Sequence, residues 1–329
     1  MSIISKAYIV TVFNSLKYFH VGQPGLPPCI GHDLFEGIVA YDLAIYLCYF
    51  IKVKHFFTYT QLNRRIKQFA YKDSDSSSAP CQVSEKAKTI GGQAAENWCL
   101  LRLLPVIIGD NVNPHDPAWQ LVITLKSLVE LVCAPTITTA QVAYLNVVVV
   151  EYLETRKAVF ASDRLKPNNL LHYAALIPKL GPLIRLWTMR FESKHSYFKR
   201  CIRRTQNFKN VCQSLANQHQ LLQTTLSASS FFAPVLTSKN STPCHAHLYS
   251  DAVRNAVEVH MFTEPESVST EVVFKGTLYK KGSFLCLKRE SDESIKFGQI
   301  EIVLVKDDKE VCFLVTPHTS LYLSEYGLH

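Results

Sequence analysis

The sequence predicts a mainly α-helical body followed by a small all-β, barrel-like module. Three observations carry that expectation. From Asp33 to about residue 226 the apolar residues recur at helical spacing, with cap residues where helices would begin. From Glu271 onward the period changes to two, with turn-forming pairs between the apolar runs. Between them, SASSFFAPVLTSKNSTP (227–243) is polar and short-chained, as a linker would be. The implied division is a leader over 1–28, a helical domain over 29–226, a linker with a short helix over 227–265, and the β module over 266–329.

Taken in order, the first long element is CIGHDLFEGIVAYDLAIYLCYFIKV. Asp33 is placed to cap it and Glu36 to complete a capping box, with Leu34, Ile38, Leu43, Ile45, Leu47 and Phe50 on a broad apolar face. Thr58 caps a second helix through Ile66 and Phe69. KDSDSSSAPC (72–81) is a surface loop. Helices resume over 92–109, then over 117–133, where Asp116-Pro117 is a cap and first-turn pair. Thr138 or Thr139 opens another at 140–161. Its β-branched run Val147 to Val150 lies within a long apolar period and predicts buried helix. A further helix covers 169–177, ending before Gly181-Pro182, and a polar one covers roughly 208–226. The last part holds about five short strands, with Lys281-Gly282 and Asp307-Asp308 where hairpin turns are needed.

Composition bounds the function classes. An apolar fraction of 47% is too high for a disordered chain, and 329 residues leave room for two domains. The ten cysteines are scattered with no CxxC pair, which predicts free thiols in a reducing intracellular compartment. The apolar stretch Ala7 to Phe13 has one early base and no small-residue cleavage site, unlike a signal peptide. Asp33, Glu36 and Asp42 interrupt the most hydrophobic segment, 33–53, and argue against a membrane span. The phosphate-binding glycine loops, the nucleophile elbow and the HExxH zinc motif are all missing from the sequence.

The net charge of +8 concentrates in residues 185–209, RLWTMRFESKHSYFKRCIRRTQNFK. One carboxylate, Glu192, sits among Arg185, Arg190, Lys194, Lys199, Arg200, Arg203, Arg204 and Lys209. Phe191, Phe198 and Ile202 fall at helical spacing, so a helix would put Glu192 and the bases Lys199 and Arg203 on one side. Such a helix suits a phosphate-bearing partner, and equally suits a solvated basic face with one compensating acid. Cys29 and His32 stand three apart and are candidate metal ligands, although a zinc site needs four. Cys244, His245 and His247 form a second cluster of that kind. Glu192 and His195 make a single Glu-x-x-His.

CxxHDLFEG near the start, LKPNNLLHYAALIPKLGPLIRLWTMRFESKH at 165–195, and the terminal FKGTLYKKGSFLCL…FGQIEIVLV together resemble animal transposon-encoded proteins of the CACTA (En/Spm-like) DDE transposase type. The resemblance covers nearly the whole chain from about residue 15. It implies a ribonuclease-H-like core interrupted by a helical insertion, with a Cys/Asp-x-x-His motif before the insertion and the last catalytic acid after it. Cys29 and His32 then match the first motif, and Glu192 the terminal acid. The helices between them would be the insertion, and the chain beyond Glu192 would hold a remnant of the core. The run LKPNNLLHY departs from the family's histidine-containing pattern. The family's two catalytic aspartates lie upstream of these motifs, so the resemblance implies an N-terminally truncated chain that is catalytically silent alone. A complete enzyme would use Mg2+; this chain alone is expected to hold no cofactor. The implied partners are DNA, through residues 185–209, and a second copy, through surface left by truncation, in the nucleus. The alternatives are a non-enzymatic interaction scaffold and a fragment of an active transposase.

Overall fold

The computed structural model describes residues 25–328 except 26, 87, 162–168, 207, 229–235, 246–249, 252–253, 256–266, 275–276, 290–293 and 307–309. The leader up to residue 24 and the Asp307-Asp308 turn therefore lie outside the described residues. The chain forms two compact units, Met1–Ser196 with Ser324–Gly327, and Tyr197–Leu323 with Leu328–His329.

The first unit is helical. Its centre is α1 (Gly31–Val53), an α-helix over Ala40–Cys48 with wider π-type turns over Gly31–Val39 and Tyr49–Val53. By length and composition α1 is apolar enough to cross a membrane, but 61% of its most apolar stretch is buried inside the protein. Around it stand α2 (Tyr59–Gln68), α3 (Ala94–Ile108), α4 (Pro117–Val132), α5 (Thr139–Val159) and α6 (Leu170–Leu180). The capping expectations hold for three of these. Thr58 and Gln61, and Thr138 and Gln141, form reciprocal capping boxes, while Asp116 accepts the Ala118 amide with Pro117 in the first turn. Leu34, Phe35, Phe50, Leu62, Leu104, Trp119, Leu125, Leu145 and Tyr173 share one core. Burying each such side chain contributes about 1.5–3 kcal/mol, so packing outweighs the propensities of the individual helices.

Two expectations change here. Asp33 does not cap α1: the helix already runs from Ile30, and the Cys29 carbonyl accepts the Asp33 amide at 2.9 Å. The Asp33 carboxylate instead accepts from Tyr173 Oη and from Asn169 Nδ2 at 3.0 Å, tying α1 to α6. The valine run in α5 is helical but only half buried, with Val148 and Val149 inside and Val147 59% exposed. Four consecutive residues span more than a helical turn, so they cannot all face one core.

The chain's C-terminal turn also belongs with the helices. Trp119 Nε1 donates to Glu325 O at 2.8 Å, and the buried Lys126 Nζ donates to Gly327 O at 2.7 Å. The Tyr326 ring fills the space over Gly109, where a Cβ would lie 2.6 Å from Tyr326 Cε1.

The second unit contains the latter half of α7 (Met189–Thr205), then α8 (Val211–Ala228) and eight described strands. These strands form open antiparallel sheets, which corrects the barrel expectation. One sheet has β1 (Leu236–Lys239), β4 (Glu271–Phe274) and β5 (Thr277–Lys280) in the order β1-β4-β5. The other runs β2 (Thr242–Pro243), β3 (Ser267–Ser269), β7 (Ser294–Lys306) and β6 (Phe284–Arg289), with β8 (Glu310–Leu321) also on β7. β8 covers the length of β7 on one side, and β6 and β3 share its other side end to end, so the sheet does not close.

The strands turn a corner from one sheet to the other. Ser269 Oγ bonds Lys239 O and Glu271 O, both at 2.7 Å, and pins the bend between β3 and β4. Leu236, Val272, Ile300, Val303 and Val305 form the small core beneath. β1 and β2 lie in the stretch read as linker; their polar, proline-bearing sequence hides strands of two to four residues. Lys281-Gly282 is a turn but not a hairpin, because β5 pairs with β4 and β6 with β7. Gly282, at φ +83°, takes the left-handed conformation that this turn requires.

Candidate functional site

Aromatic packing sets up the site in the helical unit. Trp187 meets Phe35 and Trp98 edge-on, with centroids 6.5 and 6.3 Å away, while Phe35 and Trp98 stack at 5.2 Å. Leu183 is buried beside them. This wedge delivers the next residue, Thr188, to the entrance of α1. There Thr188 Oγ1 lies 2.8 Å from Cys29 Sγ, and the Thr188 amide donates to the same sulfur at 3.3 Å. Thr188 Oγ1 also donates to Glu192 Oε1 at 3.2 Å, one helical turn along α7. Met189 packs against Gly31, where a Cβ would come within 3.4 Å of Met189 Sδ.

His32 completes the arrangement. Its Nε2 stands 3.4 Å from Glu192 Oε1 and 3.9 Å from Glu36 Oε2. A hydrogen bond with Cys29, opposed by burial and supported by the nearby Cys29, Glu192 and Glu36 charges, raises the imidazole above its ordinary value. Burial alone would raise the Cys29 thiol. Hydrogen bonds from the Thr188 side chain and amide, and from the His32 amide and ring, outweigh it and bring the thiol down to about 7. The His32 amide serves Cys29 Sγ as an N-terminal helix amide serves a serine cap, and the helix end favours negative charge there.

The structure thus brings together Cys29, His32 and Glu192, from motifs separated by most of the helical body. Thr188 and Glu36 belong to the same cluster and are the two members that the sequence analysis did not single out as site residues. Both were reachable: Thr188 is four residues before Glu192 and Glu36 four after His32, one helical turn in each case.

The basic residues divide. Arg185 Nη2 donates to Pro135 O at 3.2 Å and braces the loop between α4 and α5. Lys194 is half-buried, Lys194 and Lys209 each have an interaction, and the Arg190 side chain lies outside the described residues. Lys199, Arg200, Arg203 and Arg204 are exposed along the second half of α7. Phe198, on that half, packs against His219 of α8 at 5.8 Å.

Magnesium takes carboxylates and waters in octahedral geometry. Here Glu192 and Glu36 both turn to one imidazole, and a thiol lies behind it. Among the described residues, no group of three or more His, Cys, Asp or Glu side chains is disposed to hold a metal ion. Of the second cluster, Cys244 and His245 are described and His247 is not. The described donors do not fit a magnesium pair. Compared with known proteins, the chain matches no family profile, no curated protein and no solved structure.

Proposed function

We propose that the chain is a DDE-transposase-derived protein of the CACTA type that does not cleave DNA by itself and contacts it through α7. The observation that carries this reading is the meeting of Cys29 and His32 with Glu192, through a Cys29–Thr188 contact spanning 159 residues. A family that places a Cys-x-x-His motif before a helical insertion and an acid after it requires such a return. On this reading α1–α6 contain the insertion and Glu192 is the terminal acid. Glu192 is engaged by His32 and Thr188, and a two-metal reaction needs further carboxylates beside it.

DNA contact rests on Lys199, Arg200, Arg203 and Arg204, whose exposed positions suit phosphates and carry no base-reading geometry. Fluorescence anisotropy with a labelled duplex at two salt concentrations tests it. Binding should fall steeply with salt, and Arg203→Gln with Arg204→Gln should lower the log–log slope by about 2. Absence of binding at low salt removes the DNA reading. A nicking assay with Mg2+ or Mn2+ tests silence; cleavage that disappears in Glu192→Gln overturns it.

A second reading, protein–protein interaction, has its own observation. Tyr144 and Val147 on α5 are 58% and 59% exposed. Size-exclusion chromatography giving a monomer at all concentrations counts against self-association.

A further inference from the structure

We propose that Cys29 is a modification site: an activated thiol at the entrance of α1 that reacts with peroxides and soft carbon electrophiles, and whose modification releases the start of α7. This goes beyond the DNA reading and does not depend on it.

Three arrangements carry the inference. The first is the donor set on the sulfur, which is unlike that of an inert core cysteine. The Thr188 amide donates to Sγ at 3.3 Å, the Thr188 hydroxyl lies 2.8 Å away and shares its one proton between Sγ and Glu192, and the His32 amide and ring add further hydrogen bonds. Each of these stabilises a thiolate more than a thiol. The second is the imidazole beside it, whose Nε2 stands 3.4 Å from Glu192 Oε1 and 3.9 Å from Glu36 Oε2. Thiol, imidazole and carboxylate thus stand together, the set of groups that activates a cysteine elsewhere in chemistry. The third is access: Cys29 is half-buried and the His32 side chain is 54% exposed, so a small reagent can reach the pair. Other cysteines of the chain show the contrast. Cys99 and Cys133 are buried, and burial pushes their thiols to about 11 and about 12.

With a hydroperoxide as oxidant, the Cys29 thiolate attacks the terminal peroxide oxygen. The S–O bond forms as the O–O bond breaks, sulfur loses two electrons and the peroxide gains them. The leaving alkoxide (hydroxide, where the oxidant is hydrogen peroxide) takes the proton of the His32 imidazolium and departs as an alcohol (or as water), leaving a sulfenic acid. That product cannot accept hydrogen bonds as the thiolate did, so the Thr188 hydroxyl is left to Glu192 alone. The Cys29–Thr188 contact joins the entrance of α1 to the residue just before α7. Its loss loosens the first turn of α7, which carries Glu192.

The test uses the full chain. Pulsed alkylation with iodoacetamide across pH 5.5–9.5, read by peptide mass spectrometry, gives a rate for each cysteine. The exposed Cys48 is the internal reference. Cys29 should reach half its limiting rate near pH 7. At pH 6.5 it should react about fivefold faster than Cys48, a thiolate advantage reduced by the lower nucleophilicity of a low-pKa thiol. Thr188→Val and His32→Gln should move the Cys29 profile to higher pH, while Thr188→Ser should restore it; circular dichroism confirms that each variant is folded. After peroxide, dimedone should label Cys29, and amide exchange over 188–192 should rise. A Cys29 profile matching that of the urea-unfolded chain, or unchanged by Thr188→Val and His32→Gln, overturns the proposal. Labelling without faster exchange at 188–192 overturns the coupling to α7.

Discussion

α1 carries two polar clusters on one helix, and they differ in almost every respect that matters. Asp42 is 3% exposed and Arg156 is fully buried. Arg156 Nε and Nη2 approach Asp42 Oδ1 at 2.9 and 2.8 Å, Tyr152 Oη donates to Oδ2, and Tyr46 Oη lies 2.8 Å from Tyr152 Oη. Burial pushes both phenols well above their ordinary range, so both stay protonated. Ten positions earlier, His32 is half exposed, and its partners are a thiol and two carboxylates on the surface. Burial decides which cluster is scaffold and which is free for chemistry. The buried one joins its charges and phenols to one another; the open one holds a thiol brought down to about 7 beside a raised imidazole.

The difference is largest in stability. Arg156→Met leaves the Asp42 carboxylate buried without its cation and should cost about 3–5 kcal/mol in urea unfolding. The double change Asp42→Leu with Arg156→Met should recover most of that loss, because an apolar pair of similar volume replaces a desolvated ion pair. His32→Ala should cost no more than about 1 kcal/mol, as expected for an exposed ion pair. Equal losses from Arg156→Met and His32→Ala would break the comparison.

An intermediate case sharpens it. Asp33 is tied to α6 by Tyr173, which is fully buried, and by Asn169. Tyr173→Phe removes one hydrogen bond to a charged group while the Asn169 bond remains, and should cost about 1.5–3 kcal/mol. A loss as large as that of Arg156→Met would mean that burial is not what grades these ties.

Much of the fold was legible in local sequence, and the reasons are specific. Thr58, Asp116 and Thr138 marked helix starts because a cap needs only a short polar side chain and the residues just after it. Asp33 has the same local signature and misled. Its carboxylate is claimed by Tyr173 and Asn169, more than 130 positions away, which no window of sequence reveals. The β module failed in closure for a similar reason: alternation locates β7 and β8, but whether an edge closes depends on which strands reach it. In the site, Cys29, His32 and Glu192 were nameable from motif resemblance. Thr188 belongs to no motif; only its place one helical turn before Glu192 hints at it, and a threonine before an α-helix looks like an ordinary cap until a sulfur is found beside it.

The smallest effect is the most discriminating, because it reads the open cluster directly. The imidazole of His32 is raised from 6.5 by Cys29, Glu192 and Glu36. A group raised in the folded state contributes stability that is present below 6.5 and is lost as pH rises through the raised value. Cys29 runs the other way, lowered from 9.0 to about 7. Its contribution is present above pH 9 and is lost as pH falls through about 7. Two opposed contributions, one on an exposed imidazole and one on a half-buried thiol, make a shallow stability profile, so the local titration is the better readout. Glu192→Gln removes one carboxylate facing His32, and the imidazole should titrate at lower pH in a two-dimensional NMR experiment. The same change leaves the Thr188 hydroxyl without its ionised competitor, so that it serves Cys29 alone and the thiolate gains. Both values should therefore fall in one variant. Opposite movements, or movement of His32 alone, would show that Thr188 does not link the two residues.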